Sequence, residues 1–405
     1  MADTKRQVPN LRFKGFTDDW EQRKLGDEYK HIGNAFVGTA SPYYTQNGYF
    51  YLESNNIKNG QINHDHEVFI NESFYHKQLN KLLHTGDLVM VQSGHVGDTA
   101  VITEKYNGTA AHALIMFRKP QNNMLSFFLN SFFQSSNAKN RIDVLAIGNT
   151  IRHILASDMK KFVVYLPDNK EKVEVAELFL ELQKLISLQQ RKLALLKQLK
   201  KGLLQKMFAD KDSKQPVLRF KGFHDDWEQR KLGEVFLYKQ GIQVPVEQQY
   251  SQKLPGLIRF IRISDIVSSN EPPRFINYHG TNLIKPDDLF MVRYGNPGMI
   301  SMGYSGVIAN NLFRLIPKKN IYTLFFYFLL IFENKRLNSL VSNTTMPALS
   351  FKALDTFYVN FPEKLSEQKV IGSLLKKLDS LITLQQRRLT KLNTIKKSLL
   401  QQMFI

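Results

Sequence analysis

The sequence predicts an α+β protein with two β-rich globular parts in tandem, each followed by a long helix, and the two helices pairing as an antiparallel coiled coil. Three observations predict this. A sixteen-residue stretch occurs at Leu11–Gly26 and again at Leu218–Gly233, with fifteen identical positions. A helix-like stretch at 185–208 recurs at 381–404, with 15 of 24 positions identical. Alternating apolar runs bounded by glycine and proline lie between these stretches, which is typical of strands.

The bulk composition limits the class of protein. A chain of 405 residues is too long for one ordinary core, so two or three domains are expected. A net charge of +19 favours a nucleic-acid partner, with an anionic membrane surface as the rival. The chain has no cysteine, which excludes disulfides, zinc–thiolate sites and iron–sulfur clusters. The longest apolar run, 324–332, is too short to span a bilayer, which needs about 20 residues. We therefore expect a cytoplasmic protein with no membrane partner.

A strand followed by a turn with two glycines is the next repeated element. Residues 87–97 and 288–298 both read D-L-x-M-V-x-x-G-x-x-G. Further on, each copy has a Thr-rich loop, a strand and a closing proline, Pro167 or Pro362, placed where a helix can begin. The repeated stretches therefore predict two half-length units joined by a polar linker.

Both helical stretches show the 4-3 spacing of a coiled-coil seam. The predicted seam residues are Leu178, Leu182, Leu185, Gln189, Lys192, Leu196, Leu199 and Leu203, and Leu374, Leu378, Leu381, Gln385, Arg388, Leu392, Ile395 and Leu399. If the helices pack on each other in antiparallel fashion, Gln189 faces Arg388 and Lys192 faces Gln385. The alternative is that each helix packs only on its own globular part. The basic helix ends are either a solvated face or a surface for phosphate or an acidic protein.

Patterns that would indicate catalysis are missing from the sequence. There is no P-loop and no G-x-S-x-G nucleophile elbow. His64 and His66 would share one face of a strand, but no third metal ligand lies nearby. We therefore predict no catalytic residues and no metal site. The alternatives kept open are a stand-alone DNA methyltransferase or nuclease, and a non-specific basic coiled-coil structural protein.

The repeated scaffold carries different polar loop tips in its two copies. Such a frame suits two readers of different DNA sequences, because base edges are read by Arg, Lys, Asn, Gln, Ser and Thr side chains. Divergence of the loops by drift is the alternative. The candidate DNA-binding residues are Asn55, Lys58, Gln92, Ser93, His95, Asn149, Thr150, Arg152, Arg262, Ser264, Arg293, Tyr294, Asn296, Thr344 and Thr345.

The ordered set of repeats resembles the specificity (S) subunits of type I restriction–modification systems over nearly the whole chain. The resemblance is carried by the D-D-W-E-Q-R-K-L-G-E-like openings and by a closing pattern. That pattern comprises Pro362, Glu367, Gln368, Ile371, Leu374, Leu378, Asp379, Ile382 and 385–387. The first copy is less complete, since Lys172 stands in place of Gln368.

The resemblance implies a non-catalytic subunit that recognises a bipartite double-stranded DNA site. Two target-recognition domains would each read one half, and the conserved helices would set the spacer and dock two methyltransferase (M) subunits. Restriction/motor (R) subunits would complete the complex. S-adenosylmethionine and ATP are expected on those partner subunits and no cofactor on this chain. The expected boundaries are target-recognition domain 1 at 1–170, a central helix at 171–208, a linker at 209–217, target-recognition domain 2 at 218–362 and a C-terminal helix at 363–405.

Overall fold

The computed structural model describes residues 6–122, 124–148, 152–267, 271–342 and 347–405. Contacts divide the chain into two compact units. Unit 1 comprises 1–190 and 387–405, and unit 2 comprises 191–386. The predicted boundaries separate helices from globular parts, whereas the contacts divide each long helix between the two units. Within the described residues, no helix is both long and apolar enough to cross a membrane.

Unit 1 contains twelve named strands among its described residues. They are β1 (Glu21–Lys24), β2 (Tyr29–Asn34), β3 (Tyr44–Thr45), β4 (Tyr49–Leu52), β5 (Ile57–Lys58), β6 (Gln61–Ile62), β7 (Val68–Ile70), β8 (Leu88–Val91), β9 (Thr99–Val101), β10 (Ala110–Ala111), β11 (Leu114–Pro120) and β12 (Val163–Leu166). Two four-stranded sheets have the orders β2-β11-β8-β9 and β10-β4-β7-β3, while β1 pairs with β12 and β5 with β6. All four residues of β8 are buried, as expected for an apolar strand covered on both faces.

Short helices and the first part of one long helix complete unit 1. The helices are α1 (Leu25–Glu28), α2 (Glu72–His76), α3 (Leu125–Phe132), α4 (Ser136–Leu145), α5 (Ala156–Lys161) and α6 (Asn169–Met207). Phe128 and Phe132 of α3 are buried in the core that includes Trp20. The same core takes up Met403 and Phe404 at the C-terminus of the chain. The last residues of the chain are therefore part of the core of unit 1.

Unit 2 repeats this plan with nine named strands among its described residues. They are β13 (Glu228–Lys231), β14 (Phe236–Gln240), β15 (Leu257–Ile261), β16 (Arg274–Asn277), β17 (Leu289–Val292), β18 (Ile300–Ser301), β19 (Val307–Ile308), β20 (Leu312–Pro317) and β21 (Tyr358–Phe361). The sheets have the orders β14-β20-β17-β18 and β16-β15-β19, and β13 pairs with β21. The parallel pair β15–β19 corresponds to the parallel pair β4–β10 of unit 1.

The helices of unit 2 follow the same order. They are α7 (Leu232–Val235), α8 (Ser264–Val267), α9 (Thr323–Phe332), α10 (Asn334–Asn338), α11 (Phe351–Asp355) and α12 (Leu365–Gln402). The apolar run at 324–332 forms most of α9, where Phe325, Phe326 and Phe328 are fully buried. The predicted fold class is confirmed, because two tandem parts of mixed strand and helix are each followed by a long helix.

Candidate nucleic-acid interface

The glycine turn of unit 1 contacts two other predicted loops. Nε2 of His95 lies 3.1 Å from the carbonyl oxygen of Ser54 and 3.3 Å from that of Ile57. Asn55 and Lys58, in the same short segment, are both exposed, and Lys58 is the last residue of β5. The two candidate loops 54–58 and 92–97 therefore form one surface.

The segment after the Thr-rich loop returns to the same turn. The backbone N–H of Gly94 donates to the carbonyl of Arg152 at 3.2 Å, and Oγ of Ser93 lies 2.6 Å from Nδ1 of His153. Gln92 is tied in as well, because its carbonyl accepts from the N–H of Ile154. Three stretches that are far apart in sequence thus meet at the glycine turn.

Unit 2 brings the corresponding segments together. The N–H of Leu349 donates to the carbonyl of Arg293, and Tyr294 forms a bridge with Ala348. A Cβ on Gly295 would lie 2.9 Å from Cδ1 of Ile263, so the turn also packs against the segment that carries Arg262 and Ser264. The two units therefore share the arrangement, although their tips differ.

The repeated glycines are needed for the backbone of the turn. Gly97 and Gly298 have φ angles of +88° and +84°, in the left-handed region that glycine adopts at low cost. A Cβ would also lie 2.9 Å from Cγ2 of Ile142 at Gly97, and 3.0 Å from Oδ1 of Asn338 at Gly298. Their recurrence is therefore explained by the backbone of the turn.

Some candidate side chains are exposed, and others are bound to neighbouring residues of the protein. Asn296 is exposed at the tip of its turn. Arg262 is half-buried and pairs with Glu271 at 3.2 Å and with Asp265 at 3.5 Å. Arg293 is half-buried as well, donating to Oε1 of Gln240 and lying 4.7 Å from the ring centroid of Phe351. Both arginines hold loops in place in this structure.

Four candidates fall outside the described residues. They are Asn149, Thr150, Thr344 and Thr345. Their proposed contact with DNA stays a prediction, as it does for the candidates above.

Lys139 is a basic residue that the sequence interpretation missed. It lies on α4, 42 positions after Gly97, and lines a cavity of about 290 Å³ beside the glycine turn together with His95, Asp143 and Arg152. Nη1 of Arg152 donates to Asp143 at 2.9 Å, so this arginine is also partly neutralised. Lys139 has no counterpart in the repeated motifs, and no sequence signal points to it.

The duplicated opening stretch anchors the start of a long helix in each unit. Nε and Nη2 of Arg12 donate to the two carboxylate oxygens of Glu171 at 2.6 and 2.7 Å, and Nε1 of Trp20 adds a third bond at 3.1 Å. Glu171 lies in the first turn of α6 and is buried. In unit 2, Arg219 and Trp227 bind Glu367 of α12 in the same way.

The opening stretch also holds the end of a long helix. In unit 1, the ring centroids of Trp20 and Phe404 are 6.5 Å apart. In unit 2, the ring centroids of Trp227 and Phe208 are also 6.5 Å apart. Each unit thus fixes the first turn of one helix and the last turn of the other around a tryptophan.

The helices run antiparallel within each unit. In unit 1, Phe179 contacts Phe404, and four residues later Gln183 contacts Lys396. In unit 2, Lys200 pairs with Asp379 at 2.5 Å, and Met207 shares a core with Ile371. In both units, the residue number falls along α12 as it rises along α6.

The buried stripe of each helix departs from the predicted seam at alternate positions. Leu185, Leu199, Leu381 and Ile395 are exposed, as are Lys192 and Arg388, whereas Ile186, Leu193 and Leu389 are buried or half-buried one residue later. The stripe with 4-3 spacing therefore runs along α6 through 175, 179, 182, 186, 189, 193, 196, 200, 203 and 207. The positions offset by 196 form the corresponding stripe, which follows α12 and ends at Met403, just after the helix. Gln189 and Gln385 remain in these stripes, and their predicted partners, Arg388 and Lys192, do not. Apolar residues occupy neighbouring helix positions, as at Leu185 and Ile186, so spacing alone did not decide between the two stripes.

No cluster of three or more potential metal ligands occurs within the described ranges. His64, considered above for a metal, bonds instead to Glu67 at 2.6 Å and to the hydroxyl of Tyr106 at 2.8 Å. Its ring therefore joins a loop to the core in this structure.

The sequence profile of the type I restriction modification DNA specificity domain matches residues 17–198 and 224–394. The chain belongs to this specificity family. The MjaVIII specificity subunit of a type I restriction enzyme from Methanocaldococcus jannaschii is 22% identical, covering 95% of this chain and 91% of that protein. The putative MjaX specificity subunit of the same organism is 21% identical, covering 95% of this chain and 92% of that protein. The family resemblance seen in the sequence is therefore confirmed.

Solved structures share the fold of this specificity-family chain. The S subunit of a type I restriction–modification system from M. genitalium has a TM-score of 0.69 at 18% identity, covering 98% of this chain and 99% of its own. A chain from a study of complex assembly and conformational transition of the type I restriction–modification system has a TM-score of 0.51 at 15% identity, covering 94% of this chain and 96% of its own. Together with the family match, this makes the chain a DNA sequence-recognition subunit of a type I restriction–modification system.

Proposed function

We propose that each unit reads one half of a bipartite DNA site through the loops gathered at its glycine turn. The observation that carries this is the pair of turns at 92–97 and 293–298, which have the same backbone and the same neighbouring segments but different tips. Ser93 and His95 in unit 1 stand where Tyr294 and Asn296 stand in unit 2. One scaffold with two sets of polar side chains would read two different sequences.

The side chains around the turn of unit 1 suit two kinds of contact. Exposed amides and hydroxyls such as Asn55 can bond base edges, whereas Lys58 and Lys139 can neutralise phosphates. A net charge of +19 supports a large share of phosphate binding. We expect base readout to come from the turn tips and much of the affinity from the lysines.

The long helices are proposed to set the spacer and to dock two methyltransferase subunits. Between 178 and 203, α6 rises about 38 Å at 1.5 Å per residue, close to one turn of B-DNA. Spacers of about half to one turn are therefore expected.

Exposed leucines supply the surface for docking. Leu185 and Leu188 are exposed in unit 1, and Leu195, Leu199, Leu381 and Leu384 are exposed in unit 2. The pair Leu185 and Leu188 recurs at the offset of 196 as Leu381 and Leu384. An amphipathic helix of a partner would cover such a stripe.

The chemistry is proposed to reside on the partners. S-adenosylmethionine would be bound by the M subunits and ATP by the R subunits, and this chain would contribute no catalytic residue. A cytoplasmic location remains a prediction from the sequence. Incubation of the purified chain with radiolabelled S-adenosylmethionine and duplex DNA should give no methylation, and incorporation of label would contradict the proposal.

Mapping N6-methyladenine across the genome tests the bipartite site. Cells with and without the gene are compared, and the motif that disappears should be split into two specified halves. A variant in which residues 92–97 are replaced by the aligned residues 293–298 should change one half only. Loss of a continuous, unsplit motif would contradict the proposal.

A further inference from the structure

Lys396 of α12 is half-buried in unit 1, and the hydrogen-bond acceptors of its ammonium group are neutral. Its Nζ donates to Oε1 of Gln183 at 2.5 Å and to Oε1 of Gln134 at 2.7 Å. A cation placed away from water is stabilised most by a charged acceptor. Two carboxamide oxygens replace part of its hydration without cancelling its charge.

The internal duplication supplies a comparison for this site. Lys396 corresponds to Lys200 at the offset of 196, and Gln183 corresponds to Asp379. In unit 2, Nζ of Lys200 pairs with Oδ1 of Asp379 at 2.5 Å. The same lysine position therefore has a carboxylate within the chain in unit 2, and a carboxamide in its place in unit 1.

Open space adjoins Lys396. A cavity of about 280 Å³ is lined by Lys396, Gln183, Gln134, Lys184 and Tyr106. A second cavity of about 540 Å³ is also lined by Lys396, Gln183 and Gln134. The other charged residues that line this second cavity are Lys58, Lys139, Lys397 and Asp65. We call these two cavities the Lys396 cleft.

The electrostatics of the cleft favour an anion. Burial lowers the pKa of Lys396 to about 8, and the positive charge of Lys139 acts in the same direction. Lysines outnumber the one acidic lining residue, Asp65, so the field at Nζ is positive. An anion placed beside Nζ would offset both the lost hydration and this repulsion.

We propose that the Lys396 cleft binds a small phosphate-class oxyanion, which takes the place that Asp379 occupies beside Lys200. Lys396 contributes the central charge, and Lys139 and Lys397 contribute to the field around it. The cleft has room for such an ion beside Nζ, since a single water occupies only about 30 Å³ of liquid volume. The anion is either free phosphate or a phosphate of bound nucleic acid.

Isothermal titration calorimetry of the full-length chain tests this proposal. Sodium sulfate is the probe, because it keeps two negative charges between pH 6 and 9.5, and potassium chloride holds the ionic strength constant. We expect saturable binding at one site at pH 7, and affinity that falls at least fivefold by pH 9.5 as Lys396 loses its proton. Binding that does not saturate, or that is unchanged over this pH range, would overturn the proposal.

Gln183→Asp is the decisive variant, because it supplies the carboxylate that unit 2 already has. Sulfate affinity should fall at least tenfold, while the variant folds as well as the parent. Gln198→Asp makes the same change at an exposed position of α6 and should bind sulfate as the parent does. Equal affinities of the parent and Gln183→Asp would overturn the proposal. Lys396→Gln gives a second test and should also lose binding.

Competition with DNA separates the two sources of the anion. If duplex DNA displaces sulfate from the parent protein, the site is occupied by a backbone phosphate. If saturating duplex leaves sulfate binding unchanged, the occupant is a free anion. Both results require that binding depends on residue 183, and neither depends on a bipartite recognition site.

Discussion

Arg12 binds Glu171 through two parallel hydrogen bonds of 2.6 and 2.7 Å across 159 residues of sequence. The carboxylate also accepts from the indole N–H of Trp20, so three donors surround a buried charge in the first turn of α6. A carboxylate there is also favoured by the helix dipole. The constellation recurs around Glu367, which explains why the chain carries its opening stretch twice: each copy anchors a helix start.

Removing this carboxylate should destabilise unit 1. In Glu171→Ala, the Arg12 guanidinium and the buried Trp20 N–H lose their partner, and the expected loss is about 2–4 kcal/mol in the free energy of unfolding. Chemical denaturation followed by tryptophan fluorescence measures it. Glu174→Ala, at an exposed position one turn later, should change stability by less than about 0.5 kcal/mol. Equal effects of the two substitutions would show that the anchor is unimportant.

The register of the helix stripe can be tested at two adjacent residues. Leu193 is buried and Lys192 is exposed. Leu193→Ala should cost about 2–3 kcal/mol through lost burial and an unfilled cavity, whereas Lys192→Ala should cost less than about 0.5 kcal/mol. Thermal unfolding of both variants measures the difference. A larger effect at Lys192 would restore the seam predicted from spacing.

The repeat made the fold predictable, because 15 identities in sixteen residues of the opening stretch and 15 in 24 residues of the helices cannot arise from composition alone. The glycine turns were found for the same reason, and their backbone angles explain the repeat. Of the predicted seam residues, Leu378 and Gln385 are buried, whereas Leu185 and Leu199 are exposed. Leu185 and Ile186 are both apolar, and tertiary contacts decide which one is buried.

Features that depend on non-repeated residues could not be predicted. Lys139 reaches the glycine turn because α4 packs beside it, and the partners of Lys396 come from α3–α4 and α6. Neither contact leaves a spacing pattern in the sequence. Gln183 stands in the first copy where Asp379 stands in the second. This difference points to an anion site only once Gln183 is seen beside Lys396 and Asp379 beside Lys200.

The local stability of the loop that carries Asn55 should depend on pH, because His112 and Glu53 interact beside it. Nδ1 of His112 lies 3.6 Å from Oε1 of Glu53, which caps the turn at Ser54–Asn56. Their interaction raises the pKa of His112 above 6.5 and lowers that of Glu53 below 4.5. The stabilisation that comes from His112 is complete below pH 6.5 and is lost as the pH rises through the raised pKa of this histidine. The stabilisation that comes from Glu53 is present above pH 4.5 and is lost as the pH falls through the lowered pKa of this glutamate.

Stabilisation by this pair should therefore be greatest between about pH 4.5 and 6.5. Hydrogen exchange at amides 53–57 should be slower at pH 6 than at pH 8.5, after correction for intrinsic rates. His112→Gln should remove most of this difference, whereas His31→Gln, at an exposed position, should keep it. Retention of the full pH dependence in His112→Gln would assign it to another group.

The proposed docking surface makes a prediction about assembly. Leu188 is 62% exposed, so Leu188→Glu should leave the free energy of unfolding within about 0.5 kcal/mol of the parent. A charge in an apolar interface is costly, so co-purification with the methyltransferase subunit should fall at least tenfold. Gln198→Glu, which adds a charge at another exposed position of α6, is the control. Normal assembly of Leu188→Glu would place the docking surface elsewhere.

Substitution at the turn tips should affect one half of the DNA site at a time. Asn296 is exposed in unit 2, and removing a side chain that bonds a base edge costs about 1–3 kcal/mol of discrimination. Asn296→Ala should therefore relax the methylated motif in one half while the other half is unchanged, as read from N6-methyladenine maps. Lys58→Ala in unit 1 should instead weaken binding to all duplexes and reduce the salt dependence of affinity, because it would remove the proposed phosphate contact. If Asn296→Ala relaxed both halves equally, the division of readout between the two units would have to be abandoned.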